Sequence, residues 1–552
     1  MKRAPRHLGV WLGAVLGTAC TGDLGDVRFE PELPAPPPPV EILNCDVVRP
    51  GRAPLRRLTV REYDATLRDL LGDGSEPGSR LIAEARGVSA DTSVTSLLAE
   101  QYMNAAEDVS GRVTEDLDAL LDCGGTVDDD CARAFIDDIG PRAFRRPMTD
   151  AERIELVSLY DAARSELTQR ESVRAVLEAI LQSPQFLYRV EISPVTEEAV
   201  VRLDGYQLAT RLSYTLWGTM PNQMLFDAAA SGALDSDEGV ATIAREMLLD
   251  ARAETSMQDF FAGFLALEEL EDLTKDVSVF PEFNEHIAEL MRMETEAFVH
   301  EVMVNGDASW QTLMRAPWSM MNRELAEYYG VSGPTGDAFE RVELDPGHHS
   351  GLLTQGSVMA TRARTYESSP IHRGMFVRGT LMCGVVRDVP EGLEVDPPDP
   401  DPTATTRERL AEHRANPVCA SCHEQFDPLG FAFEHFDGSG RFRPDENGLP
   451  IDTTGNIVDS DIDGDFDGLT DLADQLLTSE EAQACFAKHF FRFANERFEV
   501  REDGCSIGTM VDSFRESDFD VREMMVSLTQ TDAFLYRAVD QDAFSTDSGD
   551  DS

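Results

Sequence analysis

Positive charge is scarce in this chain: 48 Lys and Arg stand against 102 Asp and Glu, a formal net charge of −54 over 552 residues. A field of that sign repels phosphate backbones and anionic headgroups, so nucleic acid is excluded as a partner. Long apolar runs are missing as well. Past the first 20 residues nothing approaches the ~18 apolar residues of a membrane helix, so any membrane attachment rests on a lipid anchor alone. Three catalytic signatures are absent: H-E-x-x-H, the G-x-S-x-G elbow and the phosphate-cradling G-x-x-x-x-G-K loop. No acid/base pair stands out among the many carboxylates, which weakens a third reading, a hydrolase acting on external polymer. Hydrophobic alternation is nowhere long enough to predict a large sheet, and the apolar periods are helical, so the expected fold class is mainly α.

What is present begins with a leader. Lys2, Arg3 and Arg6 precede a short apolar core at residues 8–16, and Gly17, Thr18 and Ala19 lead to Cys20. That pattern predicts a signal peptide over 1–19 and lipidation of Cys20. The expectation is export to the periplasm or cell surface as a lipoprotein of the bacterial outer membrane. Residues 20–54, with a proline run at 36–39, read as an extended tether. Of nine cysteines, six are left once Cys20 and a C-x-x-C pair are set aside, an even number suited to three disulfides in an oxidising compartment. Short spacing favours Cys123 with Cys131 and Cys485 with Cys505, leaving Cys45 with Cys383, although fifteen connectivities are formally open.

The most informative stretch is NPVCASCHEQFDPLGFAFEHFDGSGRFR at 416–443, which sets Cys419, Cys422 and His423 in the spacing C-x-x-C-H. Three chemistries use a C-x-x-C pair: covalent haem attachment, a disulfide or redox dithiol, and zinc ligation. Zinc would want a second paired cluster, and a dithiol a thioredoxin-like βαβ context; neither is evident. The spacing therefore favours haem c, with His423 on the iron. Met510, Met524, Met525, His435, His489, Met375 and His413 are the sixth-ligand candidates. Phe431, Phe433 and Phe436 are expected to wall the pocket, and Arg441 and Arg443 to meet the propionates. A second constellation, Asp459, Asp461, Asp463, Asp465 and Asp467 around Gly464, matches the first nine positions of a calcium loop. Position 12 is Thr470 in place of the bidentate Glu, so the expected site is weak. His372 beside Ser368, Ser369 and Arg373 lacks an orienting acid and reads as structural.

Between these motifs the chain reads as helices. Thr59 with Glu62 and Thr149 with Glu152 form capping boxes. The first opens a helix that Gly72 stops, and the second a helix through Ile154, Val157 and Tyr160. Val173, Val176, Leu177, Ile180 and Leu181 stripe the next helix, and residues 283–303 form a long one with Ile287, Leu290, Met291, Phe298 and Val302 on one side. Residues 389–402, rich in proline, read as an extended connector. Further helices are expected near 469–477, 483–497 and 521–536, ahead of an acidic tail.

On these segments the chain resembles a large secreted family of planctomycete and myxobacterial type, built from domains of unknown function and associated with cytochrome c-like modules. PLRRLTVREYDATLRDLLG resembles the start of domain 1587; IGPRAFRRPMTDAE with AILQSPQFLYRVE resembles domain 1595; LATRLSYTLWGTMPN with MNRELAEYYGVSG resembles domain 1592. HHSGLLTQGSVMA, SSPIHRGMFVRGTLMC and the C-x-x-C-H stretch resemble domain 1588, and residues 448–537 domain 1585. The implied layout is helical modules at 55–138, 139–195 and 196–335, a C-x-x-C-H module at 336–447, a C-terminal helical module at 448–540 and a tail at 541–552. The resemblance implies a mainly α multi-module protein with a cytochrome c-like segment. The leading expectation is an exported, lipid-anchored haem protein passing electrons to a redox partner in the envelope, an oxidoreductase if it is an enzyme. The alternative is a non-catalytic envelope scaffold or surface-binding protein in which Cys419 and Cys422 form a disulfide.

Overall fold

The computed structural model describes residues 44–539, except 52, 83–93, 122, 125–126, 192–198, 386–400, 402, 415–419 and 421. The leader, Cys20, most of the tether and nearly all of the 389–402 connector therefore lie outside the described residues, with Cys419 and the acidic tail.

Two apolar cores organise the body, and both are helical. The first gathers Tyr63, Tyr102, Ile136, Tyr160, Leu177 and Phe186. They come from the helices Val60–Leu71, Ser96–Val113, Asp129–Phe144, Asp150–Arg164 and Gln169–Gln182, with Phe186 on the turn that follows. Capping explains where these helices begin: Thr59/Glu62, Thr149/Glu152 and Thr168/Glu171 each close a reciprocal box. Gly72, at φ 71°, supplies the left-handed residue that ends the first. One detail of the apolar pattern differs from the sequence expectation. Ile154 is 62% exposed, and it is Leu156 and Tyr160 that turn inward on that helix.

The second core runs from Leu203 to Leu535 and is built round Phe260, Phe261, Phe298, Trp310, Phe486 and Phe490. Phe260 packs edge-on to Phe486 and Phe490, with ring centres 5.6 and 5.3 Å apart, which joins the Arg252–Leu265 and Glu480–Asn495 helices. The helix expected over 283–303 spans Glu285–His300 and continues as a wide π turn, Glu301–Asn305. The stretch expected to be one helix over 521–536 is broken into Val521–Leu528 and Asp532–Leu535, and Gly504–Glu516 adds a helix. The break falls at Thr529 and Thr531, whose hydroxyls bond back to Val526 and Leu528 carbonyls and so compete with helical pairing.

Strands are minor and two-stranded. Their role is to tie distant segments: Arg56–Arg57 pairs antiparallel with Tyr188–Arg189, and Val200–Arg202 with Tyr536–Ala538. Tyr214, on the Gly205–Leu216 helix, reaches into the first core and shares a 2.9 Å hydrogen bond with Thr66. The two cores are thus parts of one body, which takes in the described residues from Asn44 onward.

Disulfides complete the bracing. Cys123 bonds Cys131, Cys45 bonds Cys505 across 460 residues, and Cys383 bonds Cys485 across 102. The last two replace the expected pairs Cys485–Cys505 and Cys45–Cys383. Cys485 lies near the N-terminal end of one helix and Cys505 at the N-terminal end of the next. Chain proximity therefore does not put their side chains together. Instead Cys485, fully buried, meets Cys383, which follows the π turn Phe376–Leu381 in the left-handed conformation at φ 52°.

Candidate functional site

The C-x-x-C-H stretch is seated by a crossing of two short helices, Pro370–Met375 and Asp427–Phe431. They touch backbone to backbone because each carries glycine at the contact. A Cβ on Gly374 would lie 1.8 Å from the Phe426 carbonyl oxygen, and one on Gly430 1.8 Å from that of Pro370. Arg373, with no exposed surface, fastens the crossing by donating to the carbonyls of Phe433, Phe436, Met359 and Asp437. Burial lowers its pKa to about 10, and Glu434, 3.5 Å away, opposes that. Glu434 in turn accepts from Ser368 at 2.8 Å and Arg443 at 3.0 Å. His423 places Nδ1 2.9 Å from the fully buried Asp427 carboxyl, with its ring against Phe426.

These placements overturn the haem expectation. Phe431, Phe433 and Phe436 have 0, 0 and 3% of their surface exposed and fill the core, leaving no apolar slot between them for a porphyrin. Arg441 is paired with Glu282, and Arg443 with Glu434, so the cations expected for propionates are already neutralised. Met510, Met524 and Met525 are buried in the second core. His435 bonds the Arg443 carbonyl and stacks on Phe442. His489 bonds the Thr380 carbonyl beside the Cys383–Cys485 disulfide. Met375 ends the Pro370–Met375 helix and His413 lies in Thr406–Arg414. The groove that does touch the stretch, about 560 Å³ in volume, is lined by Arg407, Asn456, Asp465, Asp467 and Asp471 as well as Phe431, a polar and acidic wall unsuited to a porphyrin face. The residues do not fit a haem. Among the described residues six cysteines form three disulfides.

The calcium expectation fails for a geometric reason. A calcium loop must wind round the ion, with Gly at the sharp turn. Here Gly464–Asp467 is an extended strand paired with Thr454–Ile457, so Asp465 and Asp467 run straight along a hairpin. The other carboxylates serve the turn and the next helix. Asp463 accepts from the Ser460 backbone and hydroxyl, and Asp461 accepts from Ser479 and from the Glu480 and Glu481 amides at the start of Glu480–Asn495. Asp459 accepts from Gln425.

Sequence reading passed over Glu294. It sits on the apolar face of Glu285–His300, fully inside, where Ser319 and Tyr329 hydroxyls each donate to it at 2.7 Å. The signal was available: Glu294 falls in the same stripe as Leu290, Met291 and Phe298, where a charged residue needs a partner. Burial raises its pKa to about 7, and burial with Glu294 beside it raises that of Tyr329. Gly356 leaves room for that tyrosine; a Cβ there would lie 1.8 Å from its hydroxyl oxygen. Glu294, Tyr329 and His349 line a small cavity of about 20 Å³, room for about one water, and burial lowers the His349 pKa. His372, exposed on the Pro370–Met375 helix, has no acid positioned against it among the described residues, and Ser369 caps that helix.

Fold and site together define a mainly α, multi-domain protein stapled by disulfides. The chain carries five domains, each described as a protein of unknown function: DUF1587 over residues 56–115, DUF1595 over 131–191, DUF1592 over 203–331, DUF1588 over 349–446 and DUF1585 over 463–534. No curated protein and no solved structure matches the chain.

Proposed function

We propose that this protein is a non-catalytic scaffold or surface-binding component of the bacterial cell envelope, exported by its leader and held to the membrane through lipid on Cys20. The observation that carries the proposal is the disulfide bracing, two bonds of which close separations of 460 and 102 residues. Such bonds persist in oxidising compartments, not beside cytosolic thiols. A net charge of −54 keeps the body off nucleic acid and off anionic headgroups, consistent with a protein tethered near a membrane and not lying on it. The polar knot round Arg373 and Glu434 ties residues 433–437 to the Pro370–Met375 helix of that body. The test is expression with its own leader in an exporting host, followed by fractionation. Membrane-bound protein that becomes soluble in the Cys20→Ser variant supports the proposal; accumulation in the cytosol contradicts it.

A further inference from the structure

The Cys383–Cys485 disulfide has an imidazole beside it. Cys485 lies near the start of the Glu480–Asn495 helix and His489 follows four residues on, so both side chains leave the same face. They converge on the Thr380 carbonyl, whose oxygen lies 3.2 Å from the Cys485 sulfur and 3.0 Å from His489 Nε2. Phe264 meets the imidazole edge-on, with ring centres 5.1 Å apart, which holds the ring in place. Cys383 comes in from the other side. Its sulfur, that of Cys485 and a ring nitrogen of His489 all lie within 4.8 Å of one another, and no other such trio of His, Cys, Asp or Glu is gathered among the described residues.

The bonded pair is the resting form, the one an oxidising compartment keeps. Cys485 is inside while Cys383 is half-buried, so a reductant reaches the bond from the Cys383 side. An external dithiol supplies the electrons. One of its thiolates attacks the Cys383 sulfur, the S–S bond breaks, and the electron pair leaves on the Cys485 sulfur, which takes up a proton. The reductant's second thiol then closes its own disulfide and releases Cys383 as a thiol. Positive charge stands close to the products. Arg378 is 7% exposed, its terminal nitrogens donate to the Val458 and Asp459 carbonyls at 3.0 and 2.7 Å, and no carboxylate pairs with it among the described residues. A Cβ on Gly384, the residue after Cys383, would lie 2.5 Å from its Nε, so the guanidinium sits against this turn.

We infer that Cys383 and Cys485, once reduced, join His489 in a site for one zinc-like divalent cation. Two thiolates and an imidazole are the donor set of an open zinc site, in which water takes the fourth position. The two sulfur charges cancel that of the ion, so the complex forms in a half-buried place without net charge. Tetrahedral zinc, with bonds of about 2.3 Å to sulfur and about 2.0 Å to nitrogen, sets its donors roughly 3.5–3.8 Å apart. A disulfide holds its sulfurs about 2.0 Å apart, so they separate by less than about 2 Å and the ion fills the space they open. Binding releases the two thiol protons.

The test is titration with Co2+ of the full chain reduced by a phosphine, which carries no thiol to compete for the ion. Cobalt reports thiolate ligation and tetrahedral geometry by its absorption, and Zn2+ should displace it. One saturable site is expected in the reduced chain. Cys383→Ser should abolish it, and His489→Gln, whose amide can still donate to the Thr380 carbonyl, should weaken it at least ten-fold. Zn2+ should also slow alkylation of Cys383 at least ten-fold, read by peptide mass mapping. No saturable absorption in the reduced chain, the same absorption in the oxidised chain or in Cys383→Ser, or unchanged affinity in His489→Gln overturns the inference. If His489→Gln does not fold, equal alkylation of Cys383 with and without Zn2+ overturns it instead.

Discussion

Removing the Cys383–Cys485 disulfide should cost this protein several kcal/mol. The bond closes a separation of 102 residues, and the chain-entropy relation assigns a loop of that length about 4.7 kcal/mol. Local penalties are small. A serine at position 485 would still face the Thr380 carbonyl, to which the Cys485 sulfur lies at 3.2 Å, so the new hydroxyl has an acceptor. The double variant Cys383→Ser/Cys485→Ser should therefore lose about 3–5 kcal/mol. With an unfolding entropy of about 2.1 cal/mol/K per residue, a body of this size changes by on the order of 1 kcal/mol per degree, so the melting temperature should fall by roughly 3–5 °C. Differential scanning calorimetry of both proteins under non-reducing conditions measures the shift. A variant within about 1 °C of the parent would refute the reasoning, because it would show that the bond constrains neither the unfolded chain nor the packing of the Glu480–Asn495 helix.

Gly374→Ala should destabilise the protein by roughly 1–3 kcal/mol or more, since its Cβ would meet the Phe426 carbonyl oxygen at 1.8 Å; urea unfolding measures it, and a neutral result would show that the two helices can separate. Glu294 binds its proton more tightly in the folded chain, its pKa rising from 4.5 to about 7. Its contribution is therefore complete below pH 4.5 and fades as pH climbs through about 7, a change on the order of 3 kcal/mol. Glu294→Gln should flatten stability between pH 5 and 8 in urea titrations, and an unaltered pH slope would contradict this. Asp461→Ala should cost about 1 kcal/mol, because it strips the carboxylate from the start of Glu480–Asn495. Calorimetry with millimolar calcium should give no binding heat; a saturable heat abolished by Asp463→Asn would restore the ion site.

Much of the fold is legible in the sequence because its cues are local. Thr59 with Glu62 and Thr149 with Glu152 fix helix starts within four residues, and the structure closes both boxes. What escapes is set by partners far along the chain. Cys45 lies 460 residues from Cys505, and nothing near either residue announces the other. The C-x-x-C-H spacing states what a haem would need but says nothing of the space around it, and here the phenylalanines that would wall that space are in the core. The aspartate run reads as a calcium loop by spacing alone, while its second half pairs as a hairpin with Thr454–Ile457. Glu294 was readable in principle, as a lone acid on an apolar stripe. Its tyrosine and serine partners, 35 and 25 residues away, were not.

The most direct test of the account is non-reducing peptide mapping by mass spectrometry on protein exported with its own leader. The account predicts linked peptides joining Cys45 to Cys505, Cys123 to Cys131 and Cys383 to Cys485, and no haem-bearing peptide around His423. Reduced cysteines at these positions, a link from Cys45 to Cys383, or a porphyrin carried on Cys422 would contradict it.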